Sequence, residues 1–192
     1  LGPCHAEEVA SEKLSYLTFT GIDKKTTHEI ANSFTTEYIN TVENEDIYGG
    51  QYAAVLKNIY ADGSGIAHGL DYGDNFLSVF IANCADEMAG FLKKAGIKNI
   101  EVGHTDIRNP AADHKPANYA ASVYLGDLLV TCYSLHSRNR AFGNMIGKGY
   151  SVKGAQLEMS MVAEGYNASK CMHIINRKIS ADMPIADTVY QI

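Results

Sequence analysis

The sequence predicts a mainly α-helical protein that begins with a short α/β segment. From about Ile47 onward, apolar residues recur with helical spacing over long stretches, which is the main sequence signal for helices. Before that point, two stretches rich in β-branched and aromatic residues flank one helical stretch, in the order strand–helix–strand. We therefore divide the 192 residues into an α/β part, 1–46, and a helical part, 47–192.

The α/β part contains two predicted strands. Residues 4–13 predict a short helix or turn, and 15–20 predict the first strand. A helix from 23 to about 38 and a strand over 38–42 follow. Two strands alone are marginal in water, so we expect their partners to lie upstream of residue 1. Exposed strand edges also favour pairing with another copy.

The helical part is predicted to be a series of helices joined by short connections. The predicted helices cover 48–68, 75–94, 118–134, 138–145, 151–159, 167–178 and a short final stretch from Pro184. Residues 97–117 are polar and contain Pro110 and Pro116, which predicts a long surface loop. The chain starts without an initiator methionine or a signal peptide, so we expect it to be part of a longer protein.

Composition and charge exclude several classes of protein. The net charge of −6 argues against a general nucleic-acid binder, whose binding surface is basic. No apolar run approaches the ~20 residues of a membrane span. Cys84, Cys132 and Cys171 lie in apolar helical stretches and are predicted to be buried thiols, as in a reducing cytoplasm. Neither the cysteines nor the histidines show ligand spacing, so we predict no metal site.

The stretch from Gly126 to Arg140 is the most informative part of the chain. Asp127 and Thr131 stand four residues apart, so they share one face of a helix. A polar cluster follows, formed by Ser137, Arg138, Asn139 and Arg140. Guanidinium groups bind phosphate bidentately, and serine and asparagine add neutral donors. The stretch therefore predicts a pocket wall for a small phosphorylated molecule.

Lys57 lies in an apolar helical stretch, next to Asn58. Such a lysine most often extends its amino group to solvent. The alternative is a position in a cleft, where burial lowers the pKa of a lysine towards the working pH and suits a general acid or base. A carboxylate such as Asp127 would then hold the amino group in place.

Two weaker patterns have simpler interpretations. The glycines at positions 63, 65 and 69 resemble a dinucleotide fingerprint, but a helix precedes them where a strand is required. Close helix packing explains them better, and we predict no nucleotide site there. Glu164 precedes a glycine between two predicted helices, which by pattern alone indicates an acid in a loop.

Several motifs, in order and across nearly the whole chain, resemble the C-terminal part of the bacterial-type NAD(P)-dependent glycerol-3-phosphate dehydrogenases. They are Gly2-Pro3-Cys4-His5-Ala6-Glu7-Glu8-Val9-Ala10, Ala54-Val55-Leu56-Lys57-Asn58, 69–75, 126–132, 137–143, 162–165 and Met183-Pro184-Ile185. The resemblance implies a helical dehydrogenase C-terminal domain, similar to that of 6-phosphogluconate dehydrogenase. A truncated tail of a Rossmann domain would precede it.

The resemblance also implies a reaction: reversible NAD(P)H-dependent reduction of dihydroxyacetone phosphate to sn-glycerol 3-phosphate. The cofactor would be bound mainly by an N-terminal domain that this chain lacks, so we expect the chain to be inactive alone. A homodimer in the cytoplasm and a role in glycerophospholipid and carbohydrate metabolism are further implications, with no nucleic acid and no membrane span.

The same resemblance implies roles for individual residues. The lysine that matches Lys57 is the family's general acid/base, and Asp127 and Thr131 match residues that orient it. Substrate contacts are implied for Gly2, Cys4, Asn58, Ser137, Arg138 and Asn139. Cofactor contacts are implied for Ala6, Arg138, Val162 and Glu164.

Two departures from the family pattern and two alternative interpretations remain. Cys4 stands where the family usually has Ser or Thr, and the loop 97–117 is longer than the family needs.

A related two-domain hydroxyacid or sugar-phosphate dehydrogenase would also place a lysine and an asparagine on this helix, usually further apart. A non-catalytic ligand-binding or dimerisation module would have had no need to keep Lys57, Asp127 and Thr131.

Overall fold

The computed structural model describes residues 1–97, 123–159 and 163–192, and this described part is mainly helical with one small sheet. Its elements are α1 (Ala6–Ala10), β1 (Ser15–Thr20), α2 (Lys24–Phe34), β2 (Ile39–Asn44), α3 (Ile47–Gly69), α4 (Gly73–Lys94), α5 (Leu125–Tyr133), α6 (Arg138–Gly147), α7 (Val152–Glu158), α8 (Glu164–Ile179) and α9 (Pro184–Tyr190). The mainly helical class is confirmed. Apart from residue 97, the predicted loop over 97–117 lies outside the described residues.

The two predicted strands are confirmed and pair in parallel. The register runs from Ser15 opposite Ile39 to Thr20 opposite Asn44. Helix α2 connects them, and its first turn is capped by the carboxylate of Asp23, which accepts from the backbone N–H of Thr26 at 2.9 Å. The helix ends before the predicted position 38, because residue 35 has already left helical geometry.

Helix α2 is only partly covered by this small sheet. Ala31 is fully buried, but its neighbours on the same face, Ile30 and Phe34, remain 46% and 50% exposed. In the described part, the sheet consists of β1 and β2 alone. The segment therefore presents more apolar surface than two strands can cover.

Helix α3 forms the centre of the helical part. Helices α4, α5, α6, α8 and α9 all pack against it. The largest fully buried side chains on α3 and α4 are Tyr60, Phe91, Leu56, Ile59, Ile81, Met88 and Leu92. Burial of each such side chain stabilises the fold by about 1.5–3 kcal/mol. The helix that carries Lys57 is thus held on several sides.

Glycines allow α3 and α6 to cross in close contact. A Cβ atom at Gly65 would overlap the carbonyl oxygen of Arg140 and lie 2.7 Å from the backbone nitrogen of Asn144. A Cβ atom at Gly143 would likewise overlap the carbonyl of Asp62. The interpretation of the glycine stretch as a close packing site is confirmed, and the crossing sets the position of the start of α6 relative to Lys57.

A buried glutamate caps the last helix. The carboxylate of Glu87 accepts from the backbone N–H groups of Ile185 at 2.7 Å and Ala186 at 2.9 Å, and from the hydroxyl of Tyr60 at 3.1 Å. Burial raises the pKa of Glu87, although these hydrogen bonds act in the opposite direction. The three bonds attach α9 to α3 and α4.

A second buried acid lacks such partners. Asp62 on α3 is 2% exposed, and neither carboxylate oxygen has a hydrogen-bond partner among the described residues. Its side chain faces Gly165, where a Cβ atom would overlap the carboxylate. Burial raises the pKa of Asp62 well above its usual value, because the charged form would lose its hydration.

Three sequence-based expectations differ from the structure. Helix α5 begins at residue 125, and 118–122 lie outside the described residues. Glu164 is the first residue of α8 and therefore not a loop acid, since Gly165 lets the helix start against α3, where a Cβ would lie 2.8 Å from the carbonyl carbon of Asn58. Cys171 is exposed, because it lies on the outer face of α8, whereas Cys84 and Cys132 are buried as predicted.

Candidate active site

Lys57 forms a buried ion pair with Asp127. The amino nitrogen of Lys57, on α3, donates to Oδ1 of Asp127, on α5, at 2.6 Å. The side chain of Lys57 is 18% exposed and that of Asp127 only 2%. The structure therefore supports the cleft interpretation of Lys57 rather than extension to solvent. Because such a pair has lost most of its hydration, it depends on good geometry and on further hydrogen bonds from neighbouring groups.

Asp127 is fixed by two further contacts. Its Oδ2 accepts from the backbone N–H of Gly2 at 3.2 Å. The hydroxyl of Thr131 donates to the carbonyl oxygen of Asp127 at 2.6 Å and lies 3.5 Å from Oδ1. Gly2 has a φ of +121°, and a Cβ atom there would lie 2.5 Å from the carbonyl oxygen of Tyr16. Only glycine meets these conditions without strain, so Gly2 is needed for this contact.

Cys4 and Ala6 follow Gly2 closely in the sequence but differ from each other in environment. The thiol of Cys4 is half-buried and donates to the carbonyl oxygen of Gly2 at 3.3 Å. Burial is the main cause that raises its pKa. Ala6 is exposed at the start of α1.

The start of α6 forms the opposite side of the site. Ser137 is the N-cap residue, and its hydroxyl accepts from the backbone N–H of Arg140 at 3.2 Å. Ser137 is buried, whereas the side chain of Arg138 is exposed. The N-terminal turn of a helix carries a partial positive charge and unpaired N–H groups, which favour anions.

A chain of amide groups joins three helices beside Lys57. Nδ2 of Asn139 donates to Oδ1 of Asn58 at 2.9 Å, and Oδ1 of Asn139 accepts from the backbone N–H of Gly165 at 3.0 Å. Nδ2 of Asn58 donates to Glu164 at 3.3 Å. Both asparagines therefore position α3, α6 and α8 relative to one another.

These side chains surround a cavity of about 280 Å³. It is lined by Leu1, His5, Ala54, Lys57, Asn58, Thr131, His136, Ser137, Arg138, Asn139 and Glu164. The structure thus brings together predicted residues from α3, α5, α6 and α8. Arg140, the last residue of the predicted donor cluster, is absent from this lining among the described residues. Val162 lies outside the described residues.

A lysine–carboxylate pair in one cavity with the start of a helix does not by itself identify a family, so the comparison with relatives decides it. The family model for the C-terminus of NAD-dependent glycerol-3-phosphate dehydrogenase matches residues 46–192. The chain belongs to this family. The similarity of the motifs noted in the sequence is thereby confirmed.

Individual relatives of the NAD-dependent glycerol-3-phosphate dehydrogenase family agree. The glycerol-3-phosphate dehydrogenases (NAD(P)+) of Lacticaseibacillus paracasei and Clostridium tetani are each 34% identical to this chain over 191 residues, which is 100% of the chain and 50% of each relative. The crystal structure of the Coxiella burnetii enzyme is 25% identical, with a TM-score of 0.85, over 99% of this chain and 53% of that one. The chain spans about half the length of the curated relatives it matches.

A structure of the Saccharomyces cerevisiae enzyme shares the fold. It is 22% identical, with a TM-score of 0.78, over 99% of this chain and 53% of that one. The helical dehydrogenase C-terminal fold implied by the motifs is therefore confirmed by solved members of the glycerol-3-phosphate dehydrogenase family.

Sequence reasoning missed two histidines of the cavity. As possible metal ligands, His5 and His136 lack the required spacing, and the sequence patterns predict no other role for them. His5 lies within the first family motif, beside Cys4, and His136 directly precedes the motif 137–143, and these positions are the signal that places them here. In the ranges that the structure describes, no three His, Cys, Asp or Glu side chains come together as metal ligands would. The prediction that the protein holds no metal stays a prediction.

The length and composition of its helices bear on whether a protein can cross a membrane. None of those in the described ranges combines the length and the apolar character that a crossing of the bilayer requires.

Proposed function

We propose that this chain is the substrate-binding and catalytic half of an NAD(P)-dependent glycerol-3-phosphate dehydrogenase, which reduces dihydroxyacetone phosphate reversibly to sn-glycerol 3-phosphate. Residues 47–192 form the substrate domain, and 1–46 are the last part of the dinucleotide-binding domain. The observation that carries the proposal is the amino group of Lys57, held at 2.6 Å by Asp127 in a cavity that also contains the start of α6.

Lys57 is the general acid in the direction of reduction. Negative charge develops on the ketone oxygen as the carbonyl carbon is reduced, and a positioned ammonium group can donate a proton to that oxygen. Asp127 keeps the ammonium group in place, and Gly2 and Thr131 keep Asp127 in place. In the reverse direction the neutral amine accepts the proton from the hydroxyl. The nicotinamide, when bound, supplies or accepts the hydride.

The start of α6 binds the phosphate of the substrate. Ser137, Arg138 and Asn139 line the cavity, and the first turn of α6 directs the positive end of the helix dipole towards bound anions. Arg138 adds a guanidinium group, which matches phosphate in geometry and charge. Asn58 on α3 and Asn139 on α6 are hydrogen-bonded to each other. This bond sets the distance between the phosphate at the start of α6 and Lys57 on α3.

We expect this chain to contact the reactive end of the cofactor. The cavity of about 280 Å³ lies just below the range of about 300–1,000 Å³ for pockets that hold drug-sized ligands, which suits a molecule as small as a triose phosphate. Ala6, Arg138, Val162 and Glu164 are the residues of this chain that would contact the cofactor. Residues outside this chain bind the remainder, and for that reason the chain alone does not turn over.

Membership of the family supports a proposal about the assembly and setting of the whole protein. We infer a homodimer in the cytoplasm that serves glycerophospholipid and carbohydrate metabolism. The exposed apolar side chains Ile30 and Phe34 beside the two-stranded sheet support association of this segment with further strands, either from the rest of the protein or from another copy.

The substrate assignment is tested by calorimetric titration of the 192-residue chain with sn-glycerol 3-phosphate and with glycerol. Binding of the phosphate ester and not of glycerol is expected. Arg138→Gln should weaken the binding by about tenfold or more, as the loss of a charged hydrogen bond does. Arg177→Gln, on the exposed side of α8, is the matched control. Failure of the wild-type chain to bind the phosphate ester would overturn the proposal.

Turnover is tested in the full-length protein that carries this chain, with dihydroxyacetone phosphate and either NADH or NADPH. Oxidation of the nicotinamide that depends on dihydroxyacetone phosphate is expected. Arg138→Gln should raise KM for dihydroxyacetone phosphate more than it lowers kcat. A preference for a hydroxyacid or another sugar phosphate would instead support a related dehydrogenase.

A further inference from the structure

Two histidines of the cavity have no part in the proposed reaction. His5 directly precedes α1, and His136 directly precedes the N-cap residue Ser137. Both line the same cavity as Arg138. Their ring centroids are 6.1 Å apart and their planes are inclined by 54°. Widely separated parts of the chain thus bring two imidazoles to one side of the site.

His5 has an unused polar atom. Its Nε2 is buried, and among the described residues it has no hydrogen-bond partner. Buried polar atoms almost always have a partner in folded proteins, and those without one call for an explanation such as a ligand. His5 lines the cavity, where a bound ligand can be the partner that this nitrogen lacks.

The hydrogen-bond donors around the two rings suit an anion, although the formal charges balance. Among the described residues that line the cavity, Lys57 and Arg138 are cations and Glu164 is an acid, and the ammonium group of Lys57 is paired with Asp127. Glu164 is engaged by the side chain of Asn58 on α3. His136 is adjacent to the first turn of α6, which favours anions through its N–H groups. An imidazole has one N–H donor when neutral and two when protonated, so each ring can donate a hydrogen bond to an anion.

We propose that His5 and His136 donate hydrogen bonds to the phosphate of the substrate. Together with the first turn of α6 they determine the preference for a phosphorylated triose over an unphosphorylated one. The inference rests on the proposed function, in which the substrate phosphate binds at the start of α6. It assigns a specificity-determining role to two residues outside the proton-transfer machinery of Lys57, Asp127 and Thr131.

The test uses His5→Phe, His136→Phe and the double variant of the 192-residue chain, because phenylalanine keeps a flat ring and removes the donors. His68→Phe is the matched control. His68 is exposed on α3 and lies roughly 16 Å from Lys57 along the helix axis, at 1.5 Å per residue. Dissociation constants of this chain for sn-glycerol 3-phosphate and inorganic phosphate are measured by calorimetry, and KM for NADH is measured with the same variants of the full-length protein. Imidazole ¹H–¹⁵N spectra of the wild-type chain follow the rings directly.

Each single variant should weaken binding of sn-glycerol 3-phosphate by about tenfold, and the double variant by more, with a parallel loss for inorganic phosphate. In the wild-type chain, the ring signals of His5 and His136 should shift on addition of the ester, and those of His68 should not. Unchanged circular dichroism would show that the variants are folded.

The possible failures are distinguishable. If the wild-type chain binds the ester and the double variant binds it within twofold, the histidine assignment is overturned and the proposed function stands. Unchanged ring signals at saturation would overturn it without any variant. A loss confined to NADH would also overturn it, because the phosphate contacted would then belong to the cofactor. If the wild-type chain does not bind the ester, both proposals fail.

Discussion

The ammonium group of Lys57 donates to the carboxylate of Asp127 at 2.6 Å, although 70 residues separate them in the sequence. The same carboxylate accepts from the backbone N–H of Gly2, which is 125 residues away in the sequence. The site therefore depends on the correct placement of three distant parts of the chain. Its stability and its chemistry are coupled through one buried carboxylate.

Replacement of Lys57 should separate these two contributions. Lys57→Met leaves Asp127 buried without its cation, and loss of one partner of a buried pair costs about 3–5 kcal/mol. The double variant Lys57→Met/Asp127→Leu should recover most of that loss, because apolar side chains replace both charges. Free energies of unfolding from urea titration measure both effects.

The catalytic activity of these two variants should not follow their stability. In the full-length protein, Lys57→Met and the double variant should both lose about 10²–10⁴-fold in kcat, the usual contribution of a general acid. A stable double variant with near-normal kcat would show that Lys57 has no role in proton transfer.

The buried acid Asp62 should make the chain less stable as pH rises. Its pKa in the folded state is raised, so between pH ~4, where an unfolded aspartate loses its proton, and the raised value, the folded state binds more protons than the unfolded state. Stability then falls with rising pH, at up to about 1.4 kcal/mol per pH unit for one proton.

Asp62→Asn should remove this part of the pH dependence. The variant should gain in Tm over the wild type, and the gain should widen between pH 5 and 8. Thermal unfolding followed by circular dichroism measures it, with Asp86→Asn, an exposed acid on α4, as control. A constant difference between variant and wild type across this range would contradict the expectation.

The crossing of α3 and α6 should tolerate no side chain at Gly65. Gly65→Ala should cost about 1–3 kcal/mol or more, because the new Cβ overlaps the carbonyl of Arg140. At about 2–4 °C per kcal/mol for a chain of this size, Tm should fall by several degrees. Gly90→Ala, on α4 with open space around it, should instead gain about 0.5–1 kcal/mol. Equal effects at both glycines would argue against the close crossing.

The thiols should differ strongly in reactivity. Cys171 is exposed, whereas Cys84 and Cys132 are buried and burial raises the pKa of Cys132 to about 12. Burial also raises the pKa of the half-buried Cys4. A thiol reagent such as DTNB should therefore modify one thiol quickly at pH 8, and that fast phase should vanish in Cys171→Ser. The other three thiols should react only slowly until the chain is unfolded.

Local patterns predicted most elements well. Periodicity located α3, α6 and α7 to within about two residues, because their apolar faces and caps, such as Ser137 and Ser151, are encoded within each helix. The glycines of α3 predicted a close helix contact, and the spacing of Asp127 and Thr131 predicted that they share a face. These properties depend on neighbours a few residues away.

Other features could not be predicted in this way. Whether Lys57 is buried, whether Cys171 faces the solvent and where α8 begins all depend on which helices meet. The amide contacts between Asn58 and Asn139 and the meeting of His5 with His136 depend on the same choice. A helical pattern defines an inner face but does not specify which helix will cover it.

By itself, then, the sequence determined the helical class, the family and the identity of the groups that can carry out the chemistry, because motifs and periodicity are local. Only the tertiary structure decided that Lys57 meets Asp127 and that the start of α6 faces them across one cavity. The reason is geometric, since the crossing of α3 with α5, α6 and α8 sets distances between residues that no spacing along the chain encodes.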